Sequence, residues 1–236
     1  MAAKPFQIGM LLFPDMTQLD LTGPLQVFSS IPLFAPELDV RIHLLWKDLE
    51  PVTTDSVMTI NPTTTLADCP PLDLICIPGG AGTDALLDDP DVLDFVRAMG
   101  EGARYVTSVC TGALVLGAAG LLQGYRAVTH WSAVPHLAEL GAIPTDARVV
   151  VDRNRVTGGG VTAGIDFALT VVEELVDRET AEVIQLRLEY DPAPPFHAGS
   201  PASAPAEIVT RYRERVAGGA ARRADAVARA AARLAS

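Results

Sequence analysis

The sequence predicts an α/β protein with a mainly parallel central sheet and helices on both faces, arranged as a flavodoxin-like α/β/α sandwich. Short apolar segments alternate with segments of helical spacing along most of the 236 residues. Glycine and proline follow several of the apolar segments, as they do where strands end in tight loops. This alternation favours parallel strands joined by helical crossovers, because parallel strands need long connections.

The first strand is predicted over residues 6–13, FQIGMLLF, a near-continuous apolar run that is typical of a strand buried on both faces. A helix is expected over residues 20–30, with Pro24 near its first turn, where proline is tolerated. Asp20 is thereby placed at a strand-to-helix junction. Further strands are expected over residues 40–46, 56–60 and 72–77.

The middle of the chain predicts a strand–turn–helix unit centred on Cys110. An amphipathic helix over residues 90–101 precedes the short strand 105–109, and a helix of small apolar residues follows over 111–119. The remaining elements are expected to be helices over 133–140, 165–176 and 180–190, strands over 149–152 and 155–157, and an Ala/Arg-rich helix over 206–234 that is interrupted near Gly218 and Gly219. Residues 1–200 are interpreted as the catalytic domain and 201–236 as its helical extension.

Composition excludes several classes of partner. The net charge of -11 disfavours nucleic acid and anionic membranes, since both repel an acidic protein. Three cysteines cannot all pair, no run reaches the roughly 18 apolar residues of a membrane span, and the first residues lack the order of a signal peptide; these features predict a cytoplasmic protein. The four histidines lack zinc-site spacing, so neither a metal nor a cofactor is expected.

Cys110 is the residue whose surroundings best fit a nucleophile. It lies between an apolar strand and a helix that begins with glycine, which matches the sharp turn that presents nucleophiles above a sheet. The partial positive charge of a helix N-terminus favours the thiolate. Cys69 and Cys76 lack this context, because one precedes two prolines and the other lies inside an apolar strand. The alternative for Cys110 is a small buried core residue.

Several segments resemble the ThiJ/PfpI superfamily, which has a class I glutamine amidotransferase-like fold, and the resemblance covers nearly the whole chain. The similar segments are Phe13-Pro-Asp, Asp20-Leu-Thr-Gly-Pro, Ile77-Pro-Gly-Gly, Ser108-Val-Cys-Thr-Gly, Thr129-His-Trp, Gly158-Gly-Gly-Val-Thr-Ala-Gly-Ile-Asp and Leu188-Glu-Tyr-Asp-Pro-Ala-Pro-Pro-Phe. The last two are similar to a branch of the superfamily that hydrates isocyanides.

The resemblance implies that Cys110 adds to an isocyanide, R–NC, and that Asp20 acts as general acid and base, giving a thioimidate and then a formamide. It also implies a homodimer and no cofactor. Two like charges in a desolvated site cannot both form freely, so one of the two groups is expected to keep its proton. A protonated Asp20 beside an anionic Cys110 would provide an acid and a nucleophile together, and the sequence leaves the protonation state of Asp20 open. Asp20 alternatively caps a helix. Thr111 is a donor to cysteine or substrate, or only the first residue of its helix.

Other residues are assigned to the surroundings of the reaction. Backbone N–H groups of Gly79 and Gly80, together with that of Thr111, are expected to stabilise developing negative charge. His130 is the rival partner for Cys110, since Cys–His pairs are common in amidotransferases. The substrate pocket is predicted to contain His130, Trp131, Gly159, Val161, Thr162 and Tyr190.

Two other functions stay open on the sequence. One is a glyoxalase, deglycase or amidase of the same superfamily, acting on carbonyl or amide substrates. The other is a non-enzymatic ligand-sensing domain like the first half of some AraC-type regulators. A peptidase is disfavoured, because peptidase-like relatives have a histidine directly after the cysteine and this chain has Thr111.

Overall fold

The computed structural model describes residues 4–235, and its strands and helices alternate as predicted. The strands are β1 (Phe6–Leu11), β2 (Val40–Trp46), β3 (Val52–Thr53), β4 (Thr59–Ile60), β5 (Thr64–Thr65), β6 (Leu74–Ile77), β7 (Tyr105–Val109), β8 (Arg126–Ala127), β9 (Ile143–Pro144), β10 (Val149–Asp152) and β11 (Arg155–Gly158). The helices are α1 (Gln18–Phe28), α2 (Ile31–Phe34), α3 (Thr83–Leu86), α4 (Pro90–Gly102), α5 (Gly112–Ala118), α6 (Val134–Glu139), α7 (Ala163–Leu175), α8 (Arg178–Arg187) and α9 (Ala206–Leu234).

A seven-stranded sheet in the order β10-β11-β7-β6-β1-β2-β5 forms the centre of the molecule. Every pairing in it is parallel except the hairpin of β10 with β11. The sequence prediction of a mainly parallel sheet is therefore confirmed. Strand β1 lies in the interior of the sheet, and its residues Ile8, Met10 and Leu11 are fully buried, as the continuous apolar run indicated.

The helices pack in two groups. Helices α1, α2, α7 and α8 contact one another, whereas α9 contacts α3, α5 and α6. Within the described residues, no helix is both long and apolar enough to cross a membrane.

The register of the central strands determines where the site forms. Ile77 at the end of β6 pairs with Ser108, and Gly158 at the end of β11 pairs with Val109. The carboxyl ends of three adjacent strands therefore meet at one edge of the sheet. The loops that follow them begin with Pro78, Cys110 and Gly159, and parallel α/β sheets bind ligands at this edge.

Three expectations about individual elements were wrong. Pro24 lies well inside α1 rather than near its first turn, because the helix begins at Gln18. The segment 56–60 contributes only the short β4, which pairs with β3 outside the main sheet. The last helix runs without interruption through Gly218 and Gly219. Two glycines cost a helix only about 2 kcal/mol in total, and packing of its other turns exceeds that cost.

Candidate active site

Cys110 lies on a strained turn between β7 and α5. Its φ of 56° is in the left-handed region, which costs a non-glycine residue on the order of 1 kcal/mol and needs support from its surroundings. The Cys110 N–H donates to the carbonyls of Gly158 (3.0 Å) and Gly159 (2.9 Å), and the Cys110 carbonyl accepts from Thr129 Oγ1 (2.7 Å). The neighbouring strand and loop thus hold the turn.

Asp20 is completely buried in α1, directly beneath this turn. Its Oδ2 accepts a hydrogen bond from the Gly79 N–H at 2.9 Å. Its Oδ1 has no partner of standard hydrogen-bond geometry within residues 4–235. Burial raises the pKa of Asp20 to about 7, although the Gly79 N–H and the Cys110 thiol lower it in part. A carboxyl group in this environment exchanges a proton near neutral pH.

Gly79 brings the two side chains together. A Cβ added to this glycine would lie 2.7 Å from Asp20 Oδ2 and 2.7 Å from Cys110 Cβ. Such distances are shorter than any van der Waals contact, so a side chain at this position would displace one residue or the other. The glycine therefore permits the close approach of Asp20 and Cys110.

Burial raises the pKa of both members of this pair. Burial, and then the charge of Asp20, raises the pKa of Cys110 to about 12, although N–H groups of Thr111 and Val161 lower it. Asp20, with a pKa of about 7, therefore ionises first. Desolvation at Cys110 therefore outweighs the helix N-terminus, which was expected to favour the thiolate.

Thr111 belongs to a hydrogen-bond network over the cysteine. Its Oγ1 accepts from the Gly80 N–H (3.0 Å), and Thr83 Oγ1 lies 3.2 Å away while donating to the Gly80 carbonyl (2.7 Å). The N–H groups of Gly79 and Gly80 therefore already have acceptors, Asp20 and Thr111. They hold those side chains in place, so their expected part in stabilising a developing charge is not supported.

A cavity of about 460 Å³ opens above Cys110, and α9 forms its far side. Gly80, Thr111 and Val161 surround the cysteine on the near side. The other residues that line this cavity are Thr17, Ala81, His130, Ser132, His136, Tyr212, Arg215, Val216, Gly219, Ala220, Arg222 and Arg223. Asp20 lies behind the lining, out of contact with solvent.

His130 lines the cavity without bonding to Cys110. Its Nδ1 accepts from the Ser132 N–H (3.3 Å) and lies 2.8 Å from Ser132 Oγ. Burial and Arg223 lower the pKa of His130, so the ring is neutral at pH 7 and carries its proton on Nε2. The geometry favours Asp20, and not His130, as the partner of the cysteine.

The other predicted pocket residues lie in two different places. Trp131, Gly159 and Thr162 line a second cavity of about 520 Å³, which adjoins the first because His130 and Val161 line both. Tyr190 lines neither. Its OH donates to Asp166 Oδ2 at 2.7 Å on a separate surface depression, away from the cavity above Cys110. The chain turns away after α8, where Glu189 adopts a φ of 50°.

Sequence reasoning missed much of the cavity wall. The contribution of α9 had only its unusual arginine content as a signal, and nothing in the pattern indicated which face would meet the cysteine. Thr83 went unnoticed, since an isolated threonine carries no motif, and Thr129 was named only as part of the Thr129-His-Trp segment. Their roles depend on the packing of distant segments against the turn.

A buried carboxyl group beside a cysteine on a strained strand–turn–helix junction defines a class of α/β proteins with a candidate cysteine nucleophile. The chain belongs to the DJ-1/PfpI family, whose model matches residues 7–174. This confirms the family expected from the motifs. Helix α9 lies outside the matched residues.

Two similar proteins cover nearly the whole chain. An isonitrile hydratase of Pseudomonas putida is 57% identical over 228 residues, which is 97% of this chain and 97% of that protein. A ThiJ/PfpI family protein from Pseudomonas syringae, known from a crystal structure, is 47% identical in sequence and superimposes with a TM-score of 0.89. The match covers 96% of this chain and 92% of that chain. These relatives extend through α9.

A more distant similarity concerns transcription regulators. The HTH-type transcriptional regulator GbdR of Pseudomonas aeruginosa is 28% identical over 192 residues, which is 80% of this chain and 52% of that protein. The similarity therefore reaches only half of the regulator.

Proposed function

We propose that this protein hydrates isocyanides to N-substituted formamides, with Cys110 as the nucleophile and Asp20 as the group that carries protons. The observation behind the proposal is the buried pair of Asp20 and Cys110, two proton-exchanging groups packed against Gly79 beneath one cavity. The identity of 57% to an isonitrile hydratase supports the same reaction.

The first step forms a bond between sulfur and carbon. The Asp20 carboxylate takes the thiol proton as Sγ attacks the terminal carbon of R–NC. The same proton then passes from Asp20 to that carbon, which gives the thioimidate R–N=CH–S–Cys110. A residue that both accepts and returns a proton needs a pKa near the working pH, and the pKa of about 7 for Asp20 meets this condition.

The second step adds water to the thioimidate. Asp20 takes a proton from the water as its oxygen bonds to the carbon, and it passes this proton to the nitrogen as the C=N bond becomes single. Asp20 then removes the proton of the new hydroxyl group, the carbonyl forms, and the C–S bond breaks. Sulfur recovers its proton, so the sum is R–NC plus water giving R–NH–CHO, without any change of oxidation state in the protein.

The neighbouring N–H groups assist when the sulfur carries charge. Those of Thr111 and Val161 lower the pKa of Cys110, so they stabilise the thiolate as it forms and as it leaves. The Thr111 hydroxyl donates to the Gly80 carbonyl at 3.2 Å and lies at the edge of the cavity, where it can rotate to donate to substrate or water instead. His130 and Val161 line the space for the substituent R.

The experiment that tests this proposal measures the formation of the formamide from para-nitrophenyl isocyanide by the purified protein. Turnover by the wild type that is lost in Cys110→Ala and in Asp20→Asn supports both the reaction and the pair. Cys69→Ser is the matched control, because Cys69 lies half-buried outside the cavity and bonds only to the Pro70 carbonyl. An inactive wild type would reject the hydratase.

The second candidate is a ligand-sensing domain, favoured by the similarity to half of a transcription regulator. It predicts tight binding of a small ligand without turnover. A superfamily glyoxalase instead predicts D-lactate from methylglyoxal. Both are assayed with the same preparation and the Cys110→Ala variant.

We infer that residues 1–200 form the catalytic domain, that residues 201–236 extend it, and that the protein is a homodimer in the cytoplasm. The three cysteines are free, which is typical of a reducing compartment. The family model ends at residue 174, and α9 packs on α3, α5 and α6, which supports an extension of one domain. Light scattering on the purified protein measures the oligomeric state.

A further inference from the structure

The wall of the cavity opposite Cys110 carries a concentration of positive charge. Arg215, Arg222 and Arg223 of α9 line this cavity. No aspartate or glutamate is among the described residues that line it. This is unexpected in a chain with 29 acidic and 18 basic residues.

The arginines of α9 differ in whether they are neutralised. Arg223 bonds to Asp84 at 2.7 Å with both side chains largely buried, and Arg229 bonds to Asp88 at 2.6 Å. These ion pairs fasten the helix to the segment around α3. Arg215 and Arg222 form no ion pair with the described part of the chain, and Arg222 donates only to the Gly218 carbonyl of its own helix. Their charge is therefore available at the cavity.

The shape of an isocyanide relates these arginines to the reaction. The R–N≡C unit is linear, so a substrate whose terminal carbon meets the Cys110 sulfur directs its substituent away from the cysteine. In this cavity the substituent then extends toward α9. Val216, Gly219 and Ala220 provide an apolar surface with space between the arginines. The wall fits an apolar body that ends in a negative charge.

We propose that the preferred substrates are isocyanides whose substituent carries a carboxylate, and that Arg215 and Arg222 bind this carboxylate across the cavity from Cys110. The inference rests on the proposed hydratase activity and names its substrate class. Guanidinium groups suit carboxylates because they offer parallel N–H donors. Both arginines are exposed, so water screens the interaction, and the expected gain is about tenfold in KM.

The test compares two substrates of nearly the same shape, para-isocyanobenzoate and para-nitrophenyl isocyanide. They differ in charge, because the carboxylate is anionic and the nitro group is neutral. The wild type is expected to show a KM about tenfold lower for the benzoate, and added salt should reduce the difference. The double variant Arg215→Gln with Arg222→Gln is expected to remove the preference, so that its KM values for the two substrates become equal.

Arg211→Gln is the matched control, since Arg211 is an exposed residue of the same helix that does not line the cavity. It should keep the preference of the wild type. Equal KM values for the two substrates in the wild type would overturn the proposal. An equal loss of the preference for the benzoate in Arg211→Gln and in the double variant would also overturn it.

A second readout does not depend on hydratase activity. Iodoacetate and iodoacetamide alkylate the same sulfur, and they differ mainly in charge. Peptide mass spectrometry measures the rate of alkylation of Cys110 by each reagent. The rate with iodoacetate divided by the rate with iodoacetamide should fall in the double variant and not in Arg211→Gln. An unchanged ratio would reject the anion site itself. A wild type that turns over neither isocyanide, yet shows this fall, would reject the hydratase and retain the site.

Discussion

Asp20 and Cys110 both pack against Gly79, since a Cβ on this glycine would lie 2.7 Å from Asp20 Oδ2 and 2.7 Å from Cys110 Cβ. The two groups are buried and interact, so the ionisation of one opposes the ionisation of the other. Asp20 ionises first and leaves the proton on the sulfur. A carboxylate poised to take a thiol proton is what the first step of the proposed reaction needs.

Asp20→Asn is expected to lower kcat for isocyanide hydration by about two to four orders of magnitude, because an amide cannot carry the proton between sulfur and carbon. The measurement is initial-rate kinetics with para-nitrophenyl isocyanide. Asp55→Asn is the control, as Asp55 is the exposed carboxylate that bonds to Thr17 Oγ1 near the cavity. A kcat within a few-fold of the wild type would reject the proton-carrying role.

The same Asp20→Asn change is expected to stabilise the fold above pH 7. The pKa of Asp20 rises from 3.8 to about 7 on burial, so the folded protein binds more protons than the unfolded chain in this range. The free energy of unfolding therefore falls as the pH rises from about 4 to about 7, by at most about 4 kcal/mol. The Asp20→Asn variant does not lose this stability, because asparagine does not titrate.

Denaturant unfolding of the wild type and Asp20→Asn at pH 5 and pH 8 measures this effect. The difference in the free energy of unfolding should be larger at pH 8. A difference that does not change between the two pH values would contradict the raised pKa.

The pH dependence of kcat/KM is expected to show an ascending limb with a midpoint near 7. The Asp20 carboxylate is the form that accepts the thiol proton, and burial raises its pKa to about 7. Below that pH the group is protonated and the first step is blocked. A limb centred near 4 would instead indicate an unperturbed carboxylate, and a flat profile would exclude Asp20 as the base.

Gly79→Ala is expected to reduce kcat about a hundredfold, because the new Cβ would lie 2.6 Å from the Thr111 nitrogen and 2.7 Å from Asp20 Oδ2 and must displace the cysteine turn or Asp20. Gly102→Ala is the control, since a Cβ there meets nothing within 4 Å. Circular dichroism and thermal unfolding test whether both variants fold. Equal activity of the two folded variants would show that the distance between Asp20 and Cys110 does not limit the rate.

Gly219→Leu is expected to raise the KM for para-nitrophenyl isocyanide by roughly tenfold to a hundredfold, while methyl isocyanide is little affected. Gly219 lines the cavity, and only Arg222 Nη2, at 3.8 Å, lies within 4 Å of an added Cβ. The leucine side chain therefore fills cavity space without breaking the fold.

Gly218→Leu is the matched control for this variant, because Gly218 is the preceding exposed residue of α9 and does not line the cavity. Both substitutions improve helix propensity by a similar amount. An equal effect of the two on large and small isocyanides would show that α9 does not select the size of the substituent.

The local sequence by itself determined the strand–turn–helix unit around Cys110. Residues 105–109 form a strand and a helix follows the cysteine, as their apolar pattern and glycine spacing predicted. Asp20 was placed correctly near the start of α1, and the family was identified from short motifs. These features follow from neighbouring residues, so a local pattern is sufficient to predict them.

Only the tertiary structure decided how these parts combine. The raised pKa values of Asp20 and Cys110 depend on burial by distant segments, and the sequence left the protonation state of Asp20 open. Tyr190 lay away from the cavity, and α9 supplied a wall that no motif indicated. Desolvation and contacts between distant segments arise only when the chain packs, which is why the sequence pattern alone could not determine them.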